Sequence, residues 1–252
     1  IGPMIRIFSS TYSVGKSILT LDPINDNSDP MGSTSIFSMV TEGDLFLVET
    51  SLIGFPTAFK RSKENGLNLR FGLIIKVLMG ASEEDDYINE SKIIVFAKND
   101  QGYQDLLKIY LASQPAPKQF DELKKHITKD VFIAIPFYDS FLAINSLNFS
   151  AQMPTLKDVE HVFLVEDHGL PFDHILQRNV VDFCKSSGSQ MIDTWSIFYE
   201  KDVDIDAYQT YRCICERATR GKGKKLSLSN PSLNHFGVNN FSWESFCDKQ
   251  SS

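Results

Sequence analysis

Residues Ser91–Leu107 read SKIIVFAKNDQGYQDLL, and this stretch decides the fold class. Its first half, Lys92–Ala97, is a short apolar run rich in β-branched residues, which is typical of a buried strand. Its second half opens a helix that we expect to span Asp100–Ala112 and to be capped by Asn99 or Asp100. The apolar side chains at helical spacing, all expected in the core, are Tyr103, Leu106, Leu107, Tyr110 and Leu111.

The alternation of strand-like runs with helix-like segments continues in both directions along the chain. A second helix is predicted from Pro171, a favoured first helical position, to Gly188. Its expected core side chains are Phe172, Ile175, Leu176 and Phe183. Seven runs read as strands, which favours a parallel α/β architecture, either a barrel or a wound sheet. The predicted strands are 5–9, 45–49, 69–78, 92–97, 131–135, 162–166 and 190–197.

The composition limits the classes of protein to which the chain can belong. The chain has 252 residues, 42% of them hydrophobic, which is enough for one substantial core. Its apolar runs are too short and too interrupted to cross a bilayer, so we expect no membrane contact. No secretory signal is visible, so we expect a cytoplasmic protein. The cysteines lack CxxC spacing and are expected to be idle thiols; they are Cys184, Cys213, Cys215 and Cys247.

One segment of the chain is basic, although the net charge of the whole chain is negative. The net charge of −7 argues against general nucleic-acid binding, because phosphate contacts require a local excess of Lys and Arg. Such an excess exists only near the end of the chain, at Arg217, Arg220, Lys222, Lys224 and Lys225. A cluster of this kind is usually a solvated loop or tail, and contact with DNA or RNA is the alternative.

Ser10–Ser17 reads STYSVGKS and approaches the pattern of a phosphate-binding loop. The motif begins with a glycine that lets backbone amides close around phosphates, and here that position is serine. A nucleotide-binding protein would use Gly15, Lys16 and Ser17, with the lysine on a phosphate and the serine on magnesium. The competing interpretation is an ordinary strand-to-helix turn, because the nearest hydrophobic strand ends in Glu49 where the motif requires an aspartate.

Histidine is scarce, and no two of the five histidines have HxH or HxxxH spacing. His168 and His174 flank the start of the helix at Pro171, with Glu166, Asp167 and Asp173 nearby, so one metal ion could be held there. The competing interpretation is a surface cluster that complements the helix dipole. A phosphoesterase with a reduced metal site near these residues and Glu49 therefore stays an alternative.

Six segments, in order, resemble one enzyme family. They are IFSSTYS at 7–13, VETSLIG at 48–54 with the AFK and NGL elements after it, the opening stretch at 91–107, FLVEDHGLP at 163–171, the strand at 190–199 and AYQTYRCI at 207–214. Together they resemble the PHP (polymerase and histidinol phosphatase) domain that begins the alpha subunit of bacterial DNA polymerase III. The resemblance implies a distorted seven-stranded (β/α) barrel over residues 4–216, with residues 217–252 as a C-terminal basic segment and tail packing on it.

The metal-binding side chains of that family are missing from these segments. In active relatives, His, Asp, Glu and Cys at the strand ends hold divalent metals that activate water for phosphoester hydrolysis. Isoleucine and tryptophan cannot coordinate a cation, and lysine repels one. The positions that the resemblance aligns with former metal ligands are Ile7, Ser9, Val48, Glu49, Ile74, Lys92, Trp195 and Ile197.

The resemblance therefore implies a catalytically inactive domain, with no metal or other cofactor, that acts in DNA replication as a scaffold or protein-binding module. Its implied partners are a polymerase domain, a proofreading exonuclease or a host replisome component, with DNA contact through the basic segment. The chain is too short to hold a polymerase catalytic domain. We expect either an excised fragment of a DNA polymerase III alpha-type polymerase or a small relative from a phage or mobile element.

Overall fold

The structure is a computed structural model that describes residues 3–22, 34–79, 90–143, 155–220 and 238–252, with backbone alone at 90 and 216–220. The strands are β1 (Ile5–Phe8), β2 (Asp44–Glu49), β3 (Asn68–Leu78), β4 (Glu90–Ala97), β5 (Lys118–Gln119), β6 (Val131–Ile135), β7 (His161–Val165) and β8 (Gln190–Ile197). The α-helices within these residues are α1 (Phe55–Glu64), α2 (Asp100–Ala112), α3 (Phe120–Leu123), α4 (Asp173–Ser187), α5 (Ile205–Arg220) and α6 (Trp243–Ser251). Short 3₁₀ helices lie at Ile36–Ser38, Lys124–His126 and Asp202–Asp204.

Seven of the eight strands in these ranges close into a barrel. Their hydrogen-bonded order is β2-β1-β8-β7-β6-β4-β3, and β3 pairs again with β2, which completes the ring. The short β5 pairs with the far end of β3, at Val77 and Leu78, outside the ring. The α/β class and the seven-stranded barrel predicted from the sequence are confirmed, and every predicted strand overlaps an observed one.

The predicted parallel arrangement is wrong for β4. This strand runs antiparallel to both neighbours, with Val95 opposite Leu73 of β3 and Ile94 opposite Ala134 of β6. Only residues 79–89 separate β3 from β4, fewer than the roughly dozen or more that a parallel crossover requires. One mouth of the barrel is therefore formed by the carboxyl ends of six strands and the amino end of β4.

The inside of the barrel is filled by apolar side chains from alternate strand positions. They form one cluster of Ile7, Val48, Ile74, Ile94, Phe96, Ala134 and Leu164. Alternation along each strand sends the neighbouring side chains outward to the helices. Gly72 also faces inward, because a Cβ there would come within 2.8 Å of the Phe96 ring. This cluster forms a solid apolar floor beneath the mouth.

Helices α2 and α4 cover the outside of the barrel, with narrower buried faces than the sequence predicts. Asn99 caps α2 by accepting a hydrogen bond from the Gly102 amide at 3.0 Å. Leu107 and Leu111 are 51% and 64% exposed, and Ile175 of α4 is 46% exposed, so their predicted place in the core is wrong. Each helix contacts the barrel along one stripe, which leaves the flanking apolar positions in solvent.

Residues 238–252 pack on the barrel beside β1 and β8. The Trp243 ring of α6 lies 5.9 Å from the Phe8 ring, and the Arg6 guanidinium lies over it at 5.5 Å. The Phe241 carbonyl accepts a hydrogen bond from the Phe198 amide at 2.9 Å, just beyond the end of β8. None of the helices in the described ranges is long and apolar enough to cross a membrane.

Candidate functional site

A cavity of about 830 Å³ opens at the mouth of the barrel. Its floor is the upper part of the apolar cluster, at Ile7, Val48, Ile74, Ile94 and Leu164. One layer above, polar side chains replace the apolar ones, namely Ser9, Lys76, Lys92, Glu166 and Ser196. Its volume lies within the range of pockets that hold small ligands, so we take this mouth cavity as the candidate site.

Four cations line the mouth cavity, and we call them the mouth cations: Lys16, Lys76, Lys92 and Arg212. Lys92 forms an ion pair with Asp139 at 3.4 Å. The Arg212 guanidinium donates a hydrogen bond to the Tyr208 hydroxyl at 3.3 Å and lies over that ring. These contacts fix two of the cations at the rim of the cavity.

Glu49 anchors the loop that carries Lys16. Its carboxylate is buried outside the barrel wall, where it accepts hydrogen bonds from the Ser10 amide at 2.7 Å and the Ser13 hydroxyl at 2.6 Å. Burial raises the pKa of Glu49, and the hydrogen bonds from Ser13 and Ser10 oppose that rise. Both carboxylate oxygens are used by this loop, so Glu49 holds local structure and does not face the cavity.

Lys16 reaches the cavity from a turn after β1. The turn contains Gly15 in the left-handed region, at φ 77°, a conformation that favours glycine. Burial, and then the charge of Lys92, lower the pKa of the Lys16 amine to about 8, although Asp139 and Glu49 act in the opposite direction. At neutral pH the Lys16 amine is therefore mostly charged, although it is poorly solvated.

Lys16→Met is expected to stabilise the protein at neutral pH by about 1–3 kcal/mol, because it removes a poorly solvated charge. The folded-state pKa of about 8 lies below the ordinary 10.5, so between these values the unfolded state binds more protons. Stability of the unaltered protein should therefore rise with pH across that window, and the advantage of the variant should shrink. Urea denaturation across this range measures the difference.

The control for this prediction is Lys60→Met, because the Lys60 side chain is 69% exposed on α1. Its stability difference from the unaltered protein should stay small and flat with pH. A Lys16→Met difference that is equally flat would contradict the lowered pKa of Lys16.

The phosphate-binding-loop geometry is not formed at Gly15, Lys16 and Ser17. Residues 17–20 form no helix, which the motif requires there, and the Thr11 amide donates a hydrogen bond to the Leu19 carbonyl at 2.8 Å. The Ser17 hydroxyl is buried and donates to the Phe198 carbonyl at 3.1 Å, so it is not available to a magnesium ion. The predicted strand-to-helix turn is also wrong over these residues, and only Lys16 reaches the candidate site.

Glu166 faces the cavity from the end of β7, held by two contacts. Its Oε1 accepts a hydrogen bond from the Ser196 amide at 2.7 Å and lies 2.9 Å from His168 Nε2. The His168 ring is buried behind it and stacks on Phe241 at 3.7 Å between centroids. The predicted surface cluster is wrong for Glu166, His168 and Asp173, which are buried. Asp167 and His174 are exposed, as a surface cluster requires.

The positions that the resemblance assigns to former metal ligands divide into three groups. Ile7, Ser9, Val48, Ile74 and Lys92 line the cavity. Glu49 lies behind the wall, as described above. Trp195 and Ile197 face the outer core, and Ser196 between them faces the cavity, because side chains alternate along β8. Across the described ranges, no three His, Cys, Asp or Glu side chains come together in a group that could hold a metal ion.

The sequence did not predict several residues of the site. One of its predictions concerns residues whose side chains the structure does not describe. Lys76 had a local signal, since it is the charge that interrupts the apolar run 71–79. Arg212 and Asp139 had none, because they come from a helix and a loop far along the chain. The basic cluster lies outside the described side chains: Arg217, Arg220, Lys222, Lys224 and Lys225.

A scan against protein-family models finds no match to the chain, and a search of curated proteins finds no matching sequence either. The function of the chain is therefore inferred from its own side chains at the barrel mouth.

Proposed function

We propose that this chain is a catalytically inactive barrel domain of the PHP type that acts in DNA replication as a scaffold or protein-binding module. The observation that carries the proposal is the apolar floor of the mouth cavity. Ile7, Val48 and Ile74 occupy three positions that the resemblance assigns to former metal ligands, and they pack into one cluster. Aliphatic side chains offer no lone pair to a metal, so this floor serves packing.

The charges above the floor also disfavour metal-dependent hydrolysis. Lys92 occupies another former ligand position, and Lys16 and Arg212 line the same cavity. Fixed positive charges raise the free energy of a divalent cation placed among them. Filling the barrel with apolar side chains stabilises the fold without a metal, which would suit a domain kept for binding.

A group of exposed apolar side chains near the mouth supports a protein-binding role. We call it the apolar patch, and its members Tyr12, Val14, Ile53 and Ile214 are 37%, 69%, 75% and 58% exposed. The loops and helix that carry them adjoin, because a Cβ on Gly54 would touch the Tyr12 ring and one on Gly15 would lie 3.2 Å from Cys215. Exposed apolar patches often mark protein–protein contacts.

The test of this proposal has a catalytic arm and a binding arm. In the catalytic arm, protein purified without chelator is analysed for metal and assayed for phosphoester hydrolysis with added manganese or zinc. We expect metal well below one ion per chain and no turnover, with Glu166→Gln behaving like the unaltered protein. Stoichiometric metal with activity that a chelator removes would instead establish the reduced-site phosphoesterase.

In the binding arm, the purified protein is titrated with a replicative polymerase catalytic domain, a proofreading exonuclease and a host replisome clamp. We expect saturable binding to at least one of them, weakened about tenfold or more by Val14→Asp combined with Ile53→Asp. Leu111→Asp, on the exposed face of α2, is the matched control and should bind normally. Absence of binding to all three would overturn the scaffold role.

A further inference from the structure

Lys16 is held at a fixed point of the barrel mouth by contacts on both sides of it. Before it, the Gly15 amide donates a hydrogen bond to the Tyr211 hydroxyl of α5 at 3.4 Å. After it, the Ser17 hydroxyl donates to the Phe198 carbonyl at 3.1 Å. The Lys16 side chain is partly exposed and lines the mouth cavity. Its amine therefore enters the cavity from an anchored backbone, within reach of a small molecule there.

The surroundings of Lys16 in the cavity are largely apolar. The floor consists of aliphatic side chains, and the rings of Phe198, Tyr208 and Phe241 form a wall beside the anchored turn. The Phe198 ring lies 5.8 Å from each of the other two and nearly parallel to both. An apolar environment withholds hydration from a charged amine and costs a neutral amine little, so it favours loss of the proton.

The amine of Lys16 releases its proton more readily than an ordinary lysine does. Burial is the largest cause that lowers its pKa to about 8, the charge of Lys92 is the second, and Arg212 acts in the same direction. Asp139 and Glu49 oppose this change without restoring the ordinary value of 10.5. At pH 7 about a tenth of the Lys16 amines are therefore neutral, against about one in three thousand for an ordinary lysine.

Lys16 thus has the environment of a nucleophilic lysine. A neutral amine is a nucleophile, whereas a protonated amine is not, because its lone pair holds the proton. Lysines that form covalent bonds with carbonyl compounds are activated by an apolar pocket or by an adjacent cation. Lys16 meets both conditions, since Lys92 and Arg212 line the same cavity and both lower its pKa.

We propose that Lys16 is the nucleophile of a covalent site that captures a small aldehyde or ketone with an apolar body as a Schiff base. The neutral Lys16 nitrogen attacks the carbonyl carbon, so a C–N bond forms and the carbonyl C–O bond breaks. The oxygen takes both protons of the amine nitrogen and leaves as water, and no oxidant or reductant takes part. The apolar floor and the ring wall hold the rest of the molecule. This covalent role goes beyond the scaffold role and does not depend on it.

Reductive trapping tests this proposal on the unaltered protein. The chain is incubated at pH 7 with benzaldehyde and cyanoborohydride, which delivers hydride to the imine carbon and leaves a stable secondary amine. Peptide mass mapping then compares the adduct on Lys16 with that on Lys60, whose side chain is 69% exposed on α1. We expect Lys16 to be labelled about tenfold faster or more. Labelling of Lys16 no faster than that of Lys60 would overturn the proposal.

A second aldehyde tests the apolar body. Acetaldehyde has the carbonyl group without the ring, and the intrinsic reactivity of each aldehyde cancels in the ratio of Lys16 to Lys60 labelling. This ratio should be about threefold higher or more with benzaldehyde, because only benzaldehyde packs on the floor and the ring wall. Equal ratios for the two aldehydes would overturn the role of the cavity in holding an apolar body.

The activation of the amine is measured separately from its reaction with a carbonyl. Lys92→Gln removes one cause of the low pKa, so labelling of Lys16 by benzaldehyde at pH 7 should fall about threefold or more while that of Lys60 stays unchanged. In the unaltered protein, the pH dependence of trace acetylation by acetic anhydride should have a midpoint of about 8 for Lys16 and about 10.5 for Lys60. This second measurement needs no variant, so it decides the matter even where Lys92→Gln fails to fold. The same midpoint for both lysines would overturn the nucleophilic role of Lys16.

Discussion

Gly102→Ala is expected to lower the free energy of unfolding by about 3 kcal/mol. A Cβ at this position of α2 would lie 2.3 Å from the Asp130 carbonyl oxygen and 3.1 Å from the Ala97 Cα. Both neighbours are backbone atoms at the ends of barrel strands, so no side-chain rotation can make room. The helix must move off β4 and β6, which separates the buried Leu106 and Ile109 from the core. Thermal unfolding should show a decrease in Tm of about 6–12 °C.

Gly54→Ala is the matched control, because it makes the same chemical change at a helix start. A Cβ there would lie 2.8 Å from Cγ and 3.0 Å from Cβ of Tyr12, so this 37% exposed side chain and its loop must shift, while the helix and the barrel strands stay in place. We expect the free energy of unfolding to fall by about 1 kcal/mol, less than for Gly102→Ala. Equal stability of the two variants would show that α2 does not approach the strands as closely as described.

Phe241→Ala is expected to lower the free energy of unfolding by about 3–5 kcal/mol, the range for removing a fully buried aromatic ring. The ring is 0% exposed, stacks on His168 and lies near Phe198. Its removal leaves a cavity at the point where residues 238–252 join the barrel. Chemical denaturation measures the loss, and faster proteolysis near the carboxyl end should accompany it.

Phe59→Ala provides the comparison for that prediction, since Phe59 is 47% exposed on α1. Phe59→Ala should lower the free energy of unfolding by no more than about 1 kcal/mol. If Phe241→Ala were equally mild, the segment from 238 onward would contribute little to the stability of the barrel.

The strands could be predicted from the sequence because each is a short apolar run between turn residues, and burial on both faces produces that pattern locally. Strand direction has no such local signal. Lys92–Ala97 reads the same whether β4 runs parallel or antiparallel, and only the short connection from β3 decides it. The exposure of Leu107 and Leu111 was missed for a related reason, since periodicity marks an apolar face without fixing how much of it the barrel covers.

The candidate site was predicted in part, because its members come from distant parts of the chain. The resemblance placed Ile7, Val48 and Lys92 at one site, and the structure brings them together. On β8 it named Trp195 and Ile197, one residue away on either side of the inward-facing Ser196. Since side chains alternate, a shift of one residue moves a position from the cavity to the outer core. Lys16 attracted attention through a motif that the structure does not form, and it reaches the cavity through a turn anchored by a buried glutamate.

The second pairing of β3, with β2, also affects how the molecule behaves among its own copies. An open sheet presents rows of unsatisfied amide and carbonyl groups that can recruit another chain and begin aggregation. Ring closure removes both such edges from the seven barrel strands described here. The strand left outside, β5, has only two residues, one of them Lys118, and so offers a poor template. While it stays folded, a protein built this way should tolerate crowding with little tendency to form β-rich aggregates.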